Sequence, residues 1–481
     1  HRLCGPSLYQ SAVTRSPRAG RHAARGLESG RMDAPRCFFG ADRFYGGIPL
    51  EENKMAVMPV RRLLLHMSWP MMLSMLIQAL YNLVDSMFVA QLSTDGFVAL
   101  SLAYPVQTLM ISICVGTGVG VNTILSRRLG ERRPAEASAV AMNGYFLYLC
   151  CWLIFLIPGV LFSRPFLALF SDVPQVVDYG SQYLAIVTAG SLGVCMQFSG
   201  ERVLQGIGAV VNLLLDPLLI FGLGPFPRLE VAGAALATVI GQLVGMTVGL
   251  LLVRRSRVLV LQARGFRPSR SVILEILKIG FPAMVMQSLA TVMTLGMNKL
   301  LSFFSATGVF ILGAYFKLQS FLFMPVYGLN NGLIPVVSFN YGAKKRERIT
   351  GLIHFALIIA AGLLAAGTLL LLLVPGPLLG LFNAVLADGV PALRLVSLSF
   401  VFAAVGIIFS SSFQALGCPM LSLILSLLRQ VVLLLPAALV LGLLAPRLIW
   451  LSFLLAEGFS SLLALVLYRR LYRTKLARLE E

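Results

Sequence analysis

Charge is what this chain has least of. Asp, Glu, Lys and Arg make up 12% of its 481 residues, about half of the roughly 25% usual for a soluble domain. Acidic residues are the scarcer kind, 20 against 39 basic, leaving a net charge of +19. The four histidines (His1, His22, His66, His354) form no cluster. The seven cysteines (Cys4, Cys37, Cys114, Cys150, Cys151, Cys195, Cys418) show neither CxxC nor a Cys/His spacing, so neither a disulfide framework nor a metal centre is indicated. Paired Asp motifs for Mg²⁺ and a catalytic His are both missing, which argues against a membrane-embedded transferase.

What the chain does have is hydrocarbon: 58% of residues are hydrophobic and the mean hydropathy is +0.85. Apolar runs near 20 residues recur along it, the mark of a protein that crosses a bilayer many times. Spans are expected near 67–90, 97–126, 137–162, 179–204, 207–223, 231–253, 273–302, 308–338, 350–375, 391–415, 420–442 and 448–468. The fourth and fifth almost touch, and a tight turn at Gly206 and Gly208 is expected to separate them. Basic residues cluster after every second span, as at Arg127, Arg128, Arg132 and Arg133, and again at Lys344, Lys345, Arg346 and Arg348. That alternation sets membrane topology rather than nucleic-acid binding, and it implies that both termini are cytoplasmic. Residues 1–53 are Arg-, Gly- and Ser-rich and lack the apolar core of a signal peptide. They read as a disordered or non-native leader, with the start near Met55; a targeting arm is the alternative.

The chain repeats itself. Trp69-Pro70 and Phe281-Pro282 are 212 positions apart, as are Gly130 and Gly342, each glycine heading a basic cluster. Arg254-Arg255 and Arg469-Arg470 differ by 215. Each half then carries six crossings and, six being even, both halves share one orientation. The expected fold is all-α integral membrane: twelve transmembrane helices in two six-helix lobes, 54–264 and 265–481, related by a pseudo-two-fold along the membrane normal. From Gln205 to Pro217 is 12 residues, but from Gln414 to Pro436 is 22, so either the fifth helix is natively about ten residues short or the chain carries a deletion there.

Polar residues inside such spans are costly and usually face a cavity. In the first span Ser74, Gln78, Tyr81, Asn82 and Asp85 form one polar stripe at helical spacing. Asn212 and Asp216, four apart in VVNLLLDPLLIFG, share a helix face. Either acid has a bland alternative, Asp85 as an interfacial cap and Asp216 as a cap on a helix broken by Pro217. As a pair they are capable of taking up a proton or of coordinating Na⁺. The second half carries Gln287, Thr291, Thr294 and Asn298 on its first span and Tyr315, Lys317 and Gln319 on its second, with Lys317 expected to be buried. These residues are candidate walls of a substrate cavity, though Lys317 also reads as a snorkelling or structurally paired cation. The positions equivalent to Asn212 and Asp216 are Val431 and Leu435, so ion coupling belongs to the first half. Arg429 and Glu457 read as a helix-end charge and a packing contact.

The stretches MPVRRLLLHMSWPMMLSMLIQALYNLVDSMFVAQL, ERVLQ, VVNLLLDPLLIFG, VAGAALAT and YFKLQSFLFMPVYGLNNGLIPVVSFNYGA, together with the repeat, resemble the multidrug and toxic compound extrusion (MATE) family over about 51–475. The resemblance implies a monomeric antiporter of bacterial type in the cytoplasmic membrane. It would export organic cations or amphipathic drugs in exchange for H⁺ or Na⁺, with no cofactor and no enzyme activity. By motif the coupling residues are Asp85, Asn212, Asp216 and Thr238, with Na⁺ at the first three if it is the coupling ion. Acids that one branch of the family carries on the seventh and tenth helices are absent here. The alternative is a flippase for lipid-linked oligosaccharides of the same broad superfamily.

Overall fold

The computed structural model describes residues 57–92, 94–169, 173–197, 203–222, 227–255, 266–304, 307–380 and 386–479, without the side chains of 81–98, 101, 105, 197, 203–207, 252–255, 310 and 386. The expected leader and the expected lobe boundary at 264/265 lie outside the described residues. Met58–Glu481 forms one compact unit.

All regular structure among the described residues is helical. Hydrocarbon offers backbone N–H and C=O groups no water, so an apolar run must satisfy them within itself. The first half comprises α1 (Val60–Leu92), α2 (Thr94–Gly130), α3 (Pro134–Ala168), α4 (Pro174–Gly190), α5 (Leu192–Gln197), α6 (Val203–Phe221) and α7 (Glu230–Arg255). The second comprises α8 (Arg270–Phe304), α9 (Gly308–Gly342), α10 (Arg346–Leu373), α11 (Pro375–Gly380), α12 (Leu386–Ser397), α13 (Phe400–Ala415), α14 (Pro419–Leu427), α15 (Leu434–Leu444) and α16 (Leu451–Leu471). A π-helical turn, Leu428–Leu433, joins α14 to α15. Among the described residues nine helical stretches are long and apolar enough to cross a membrane, and Ala387–Ser397 with Phe400–Ala415 make a tenth span bent by 44°. The α4–α5 pair and the short α6 complete the expected twelve.

The break between the fourth and fifth crossings is not at Gly206 and Gly208. Both lie inside α6, which begins at Val203. Gly208 serves packing instead, its carbonyl seated against Gly241 of α7. The expected shortness of the fifth helix is visible: α6 has 19 residues, whereas its counterpart Pro419–Leu444 has 26. At 1.5 Å per residue α6 still reaches about 28 Å, close to the ~30 Å hydrocarbon thickness. The helix also runs straight through Pro217, so Asp216 is not a terminal cap.

The repeat seen in sequence is a symmetry of the fold. After Gly130, Glu131, Arg132 and Arg133 donate their N–H groups to Arg127, Leu129 and Arg128; after Gly342, Ala343, Lys344 and Lys345 donate to Phe339, Tyr341 and Asn340. Every donor and acceptor matches its counterpart at an offset of 212. Arg132 and Lys344 share the left-handed backbone this turn requires, at φ 62° and 56°. Gly130 packs on the Phe339 carbonyl and Gly342 on that of Arg127, which is the same contact with the repeats exchanged. A two-fold operator makes such self-complementary contacts.

The same exchange relates α2–α8 packing to α1–α9 packing. A Cβ on Gly116 would stand 2.6 Å from the Met284 nitrogen and 2.8 Å from the Gly280 carbonyl, and one on Gly328 would overlap the Met72 backbone. Arg128 adds an ion pair across α2 and α8, its Nη2 lying 3.2 Å from Glu275. The Arg127 guanidinium sits 5.2 Å from the centre of the Tyr341 ring. These approaches between the halves gather towards the end that carries the basic turns.

Closure at that end should therefore fail when either glycine gains bulk. Gly116→Leu and Gly328→Leu are expected to destabilise the closed arrangement by about 1–3 kcal/mol. Spin-label distances between the Arg132 and Lys344 turns should lengthen or broaden in both variants; unchanged distances would refute the packing account.

Candidate functional site

α6 and α7 pack along their length, and glycines let them come close. The space a Cβ on Gly241 would need is taken by the Gly208 carbonyl, and such an atom would also stand 3.2 Å from Asn212 Cβ. This approach brings Asn212, the tenth residue of α6, against Thr238 of α7 near mid-span. Asn212, Asp216 and Thr238 are only 2%, 0% and 5% exposed, so their polar atoms must answer one another.

They do so through the Asn212 amide, whose orientation follows from its neighbours. Nδ2 donates to Asp216 at 2.7 Å (Oδ2) and 3.0 Å (Oδ1), while Oδ1 accepts from Thr238 Oγ1 at 2.8 Å and from Thr238 N at 2.9 Å. The reverse orientation would also hydrogen-bond Thr238 Oγ1. It would, however, aim the amide nitrogen at the Thr238 N–H and the carbonyl at the carboxylate. The hydroxyl proton of Thr238 is shared with the Ala234 carbonyl at 3.0 Å. A neutral amide thus meets a fully buried carboxylate, the four-residue spacing holding both on one face of α6.

α1 packs on α6; Gln78 on α1 is half-buried, and the side chains of Tyr81, Asn82 and Asp85 lie outside the described residues. In the second half Gln287 is exposed on α8, with Thr291 and Asn298 half-buried. On α9, Lys317 is exposed rather than buried as expected, and Gln319 is half-buried. Lys317 follows a buried face, Ala314 and Tyr315, and the helix turns it outward. Tyr315 is 2% exposed and lies among rings, 5.6 Å from Phe453 and 6.3 Å from Phe400 by centroid.

Glu457 is a packing contact between helices, as expected, and its partner is Arg429, which lies in the π-helical turn inside a span rather than at a span's end. They form an ion pair between the π-helical turn and α16, with Nη1 of Arg429 3.2 Å from Glu457 Oε1. A signal existed in the repeat: the 215-residue offset superimposes Glu457 on Gln242, one turn beyond Thr238. The second half therefore joins its last two spans by charge where the first half joins them by amide and hydroxyl. His, Cys, Asp and Glu form no group of three suited to a metal among the described residues.

A two-lobed bundle of twelve membrane-crossing helices, with a buried polar site in one lobe, is the architecture of a membrane transporter. The MatE family model matches residues 70–215 and 282–440, one match in each repeat, and the chain belongs to that family of transporters. It is a transporter, not an enzyme. Among curated proteins it is 30% identical over 401 residues to the FAD transporter of Shewanella oneidensis, covering 79% of this chain and 88% of that one. It is 26% identical over 429 residues to the multidrug export protein MepA of Staphylococcus aureus, covering 85% and 93%. A solved structure described as the outward-facing conformation of a multidrug resistance MATE family transporter of the MOP superfamily matches with TM-score 0.82 at 23% identity. That match covers 89% of this chain and 98% of that one.

Truncating Asn212 strips a donor from a buried acceptor, a loss of roughly 1–3 kcal/mol. Asn212→Leu should lower the thermal unfolding midpoint in detergent, and Asn212→Leu combined with Asp216→Leu should recover much of the loss. Additive losses would mean that the two side chains do not act as a pair.

Proposed function

We propose that the protein is a multidrug efflux antiporter that exchanges H⁺ or Na⁺ for cationic or amphipathic organic compounds by alternating access. The buried Asp216–Asn212–Thr238 triad carries this reading. A carboxylate buried in a membrane-spanning helix is costly while ionised, so a proton or a monovalent cation is a natural partner for it. Asp85, on the helix that packs against α6, is proposed as the second acid of the coupling site. The names of the MepA relatives support a drug substrate.

The proposed sequence of events follows from linkage. With the basic turns cytoplasmic, the closed end faces inward and the cleft between the lobes opens outward. Binding of the coupling ion neutralises Asp216 and Asp85 and favours the inward-open arrangement. Release of the ion inside leaves the carboxylates able to attract a cationic drug, and the lobes return with it. The ion shifts the equilibrium only by as much as it prefers one state over the other. Gln78, Tyr81, Asn82, Gln287, Thr291, Asn298, Tyr315, Lys317 and Gln319 are proposed to line or support the path of the substrate.

A second reading has its own observation: the relative named FAD transporter moves an anionic dinucleotide by name, and Lys317 is an exposed cation on α9. Cells expressing the protein would then release FAD rather than resist dyes.

Under the first reading, Asp85→Asn and Asp216→Asn should each reduce drug resistance of expressing cells to near the empty-vector level. Vesicles should lose efflux when either the proton or the Na⁺ gradient is collapsed. Resistance untouched by both substitutions would end the coupling assignment.

A further inference from the structure

The Arg429–Glu457 pair lies deep among the helices of the second lobe, yet 18% and 17% of the two side-chain surfaces stay open. Open space adjoins it. A Cβ added to the buried Gly406 of α13 would meet nothing within 4 Å except Glu457 Oε2, at 4.0 Å. Tyr315 and Tyr327 of α9 lie within electrostatic reach of both charges, and Tyr327 is 40% exposed. The backbone at Arg429 is a π-helical turn, a local distortion frequently found at functional sites.

The bonding within the pair is lopsided. Both carboxylate oxygens of Glu457 take the same nitrogen, Nη1 of Arg429, at 3.2 and 3.5 Å. Among the described residues Nε and Nη2 of Arg429 have no hydrogen-bond partner, and neither is sealed away as a buried unpaired atom. Guanidinium has five N–H donors in a planar fork suited to carboxylate and phosphate. The unused capacity of this site is therefore donor capacity, and the pair's other member, Glu457, borders the open space at Gly406.

We propose that Arg429 is a docking point for the acidic group, phosphate or carboxylate, of an amphipathic organic anion, with Glu457 holding the guanidinium while the site is empty. This rests on the reading of the protein as an exporter of organic compounds and extends its substrate class to anions. The arriving acid bonds Nε and Nη2 and competes with Glu457 for Nη1. No atom changes hands beyond these hydrogen bonds.

The test uses purified full-length protein in detergent and two fluorescent probes, 2-naphthyl phosphate and 2-naphthol, which differ by the acidic group. Wild type should bind the phosphate at least ~10-fold more tightly. Arg429→Gln should abolish that preference, and Glu457→Gln should strengthen it by removing the internal competitor. Should a lone buried charge prevent folding, the neutral double variant R429Q/E457Q must also lack the preference. Gly406→Leu fills the void while leaving both charged residues in the sequence and should weaken phosphate binding several-fold. Equal affinity of wild type for the two probes, binding of neither, or a preference that survives Arg429→Gln overturns the proposal. Displacement of the probe by phosphatidylglycerol would make this a lipid-headgroup site and overturn the substrate assignment. Efflux insensitive to Asp216→Asn sinks the coupling reading alone, because probe binding here does not depend on ion exchange.

Discussion

A carboxylate in hydrocarbon must be answered by a donor, and much of this structure can be traced to that demand at Asp216. The answer comes from Asn212, one turn earlier on the same helix, whose amide is oriented in turn by Thr238 on the next. For the three to meet, α6 and α7 must approach to backbone contact, which Gly208 and Gly241 permit. The oily composition of α6 is the other half of the constraint: apolar neighbours make the carboxylate expensive, and only an expensive charge gains much from being neutralised.

The second lobe handles the same topology differently. Its last two spans carry no counterpart of Asn212 or Asp216 and are joined instead by Arg429 and Glu457. A buried ion pair contributes little net stability, because desolvation offsets most of the attraction. Its persistence beside open space is better understood as recognition than as reinforcement. The two lobes thus divide the labour between an uncharged hydrogen-bonding shell around one acid and a compensated pair with spare donors.

Where the lobes meet, small residues do the work that side chains do elsewhere. Without a hydrophobic driving force between helices in lipid, close packing is what holds such interfaces together. Gly116 and Gly328 occupy equivalent places in the two repeats and let α2 and α8, and α1 and α9, touch. Because each contact has its mirror, a rocking motion that opens one opens the other.

The sequence by itself determined the class, the repeat and its 212-residue offset, because hydropathy and turn chemistry are local properties of the chain. It also brought out Asn212 and Asp216, whose four-residue spacing is legible on any helix. It misjudged the turn at Gly206 and Gly208, since a glycine that serves close packing looks no different from one that serves a bend. It misjudged Lys317, whose exposure depends on which face of α9 the neighbouring helices cover. Thr238 came from a resemblance alone, and the partnership of Arg429 with Glu457 stayed hidden. Both depend on contacts between residues 26 and 28 positions apart on separate helices, and only the packing angle of those helices decides whether such side chains meet.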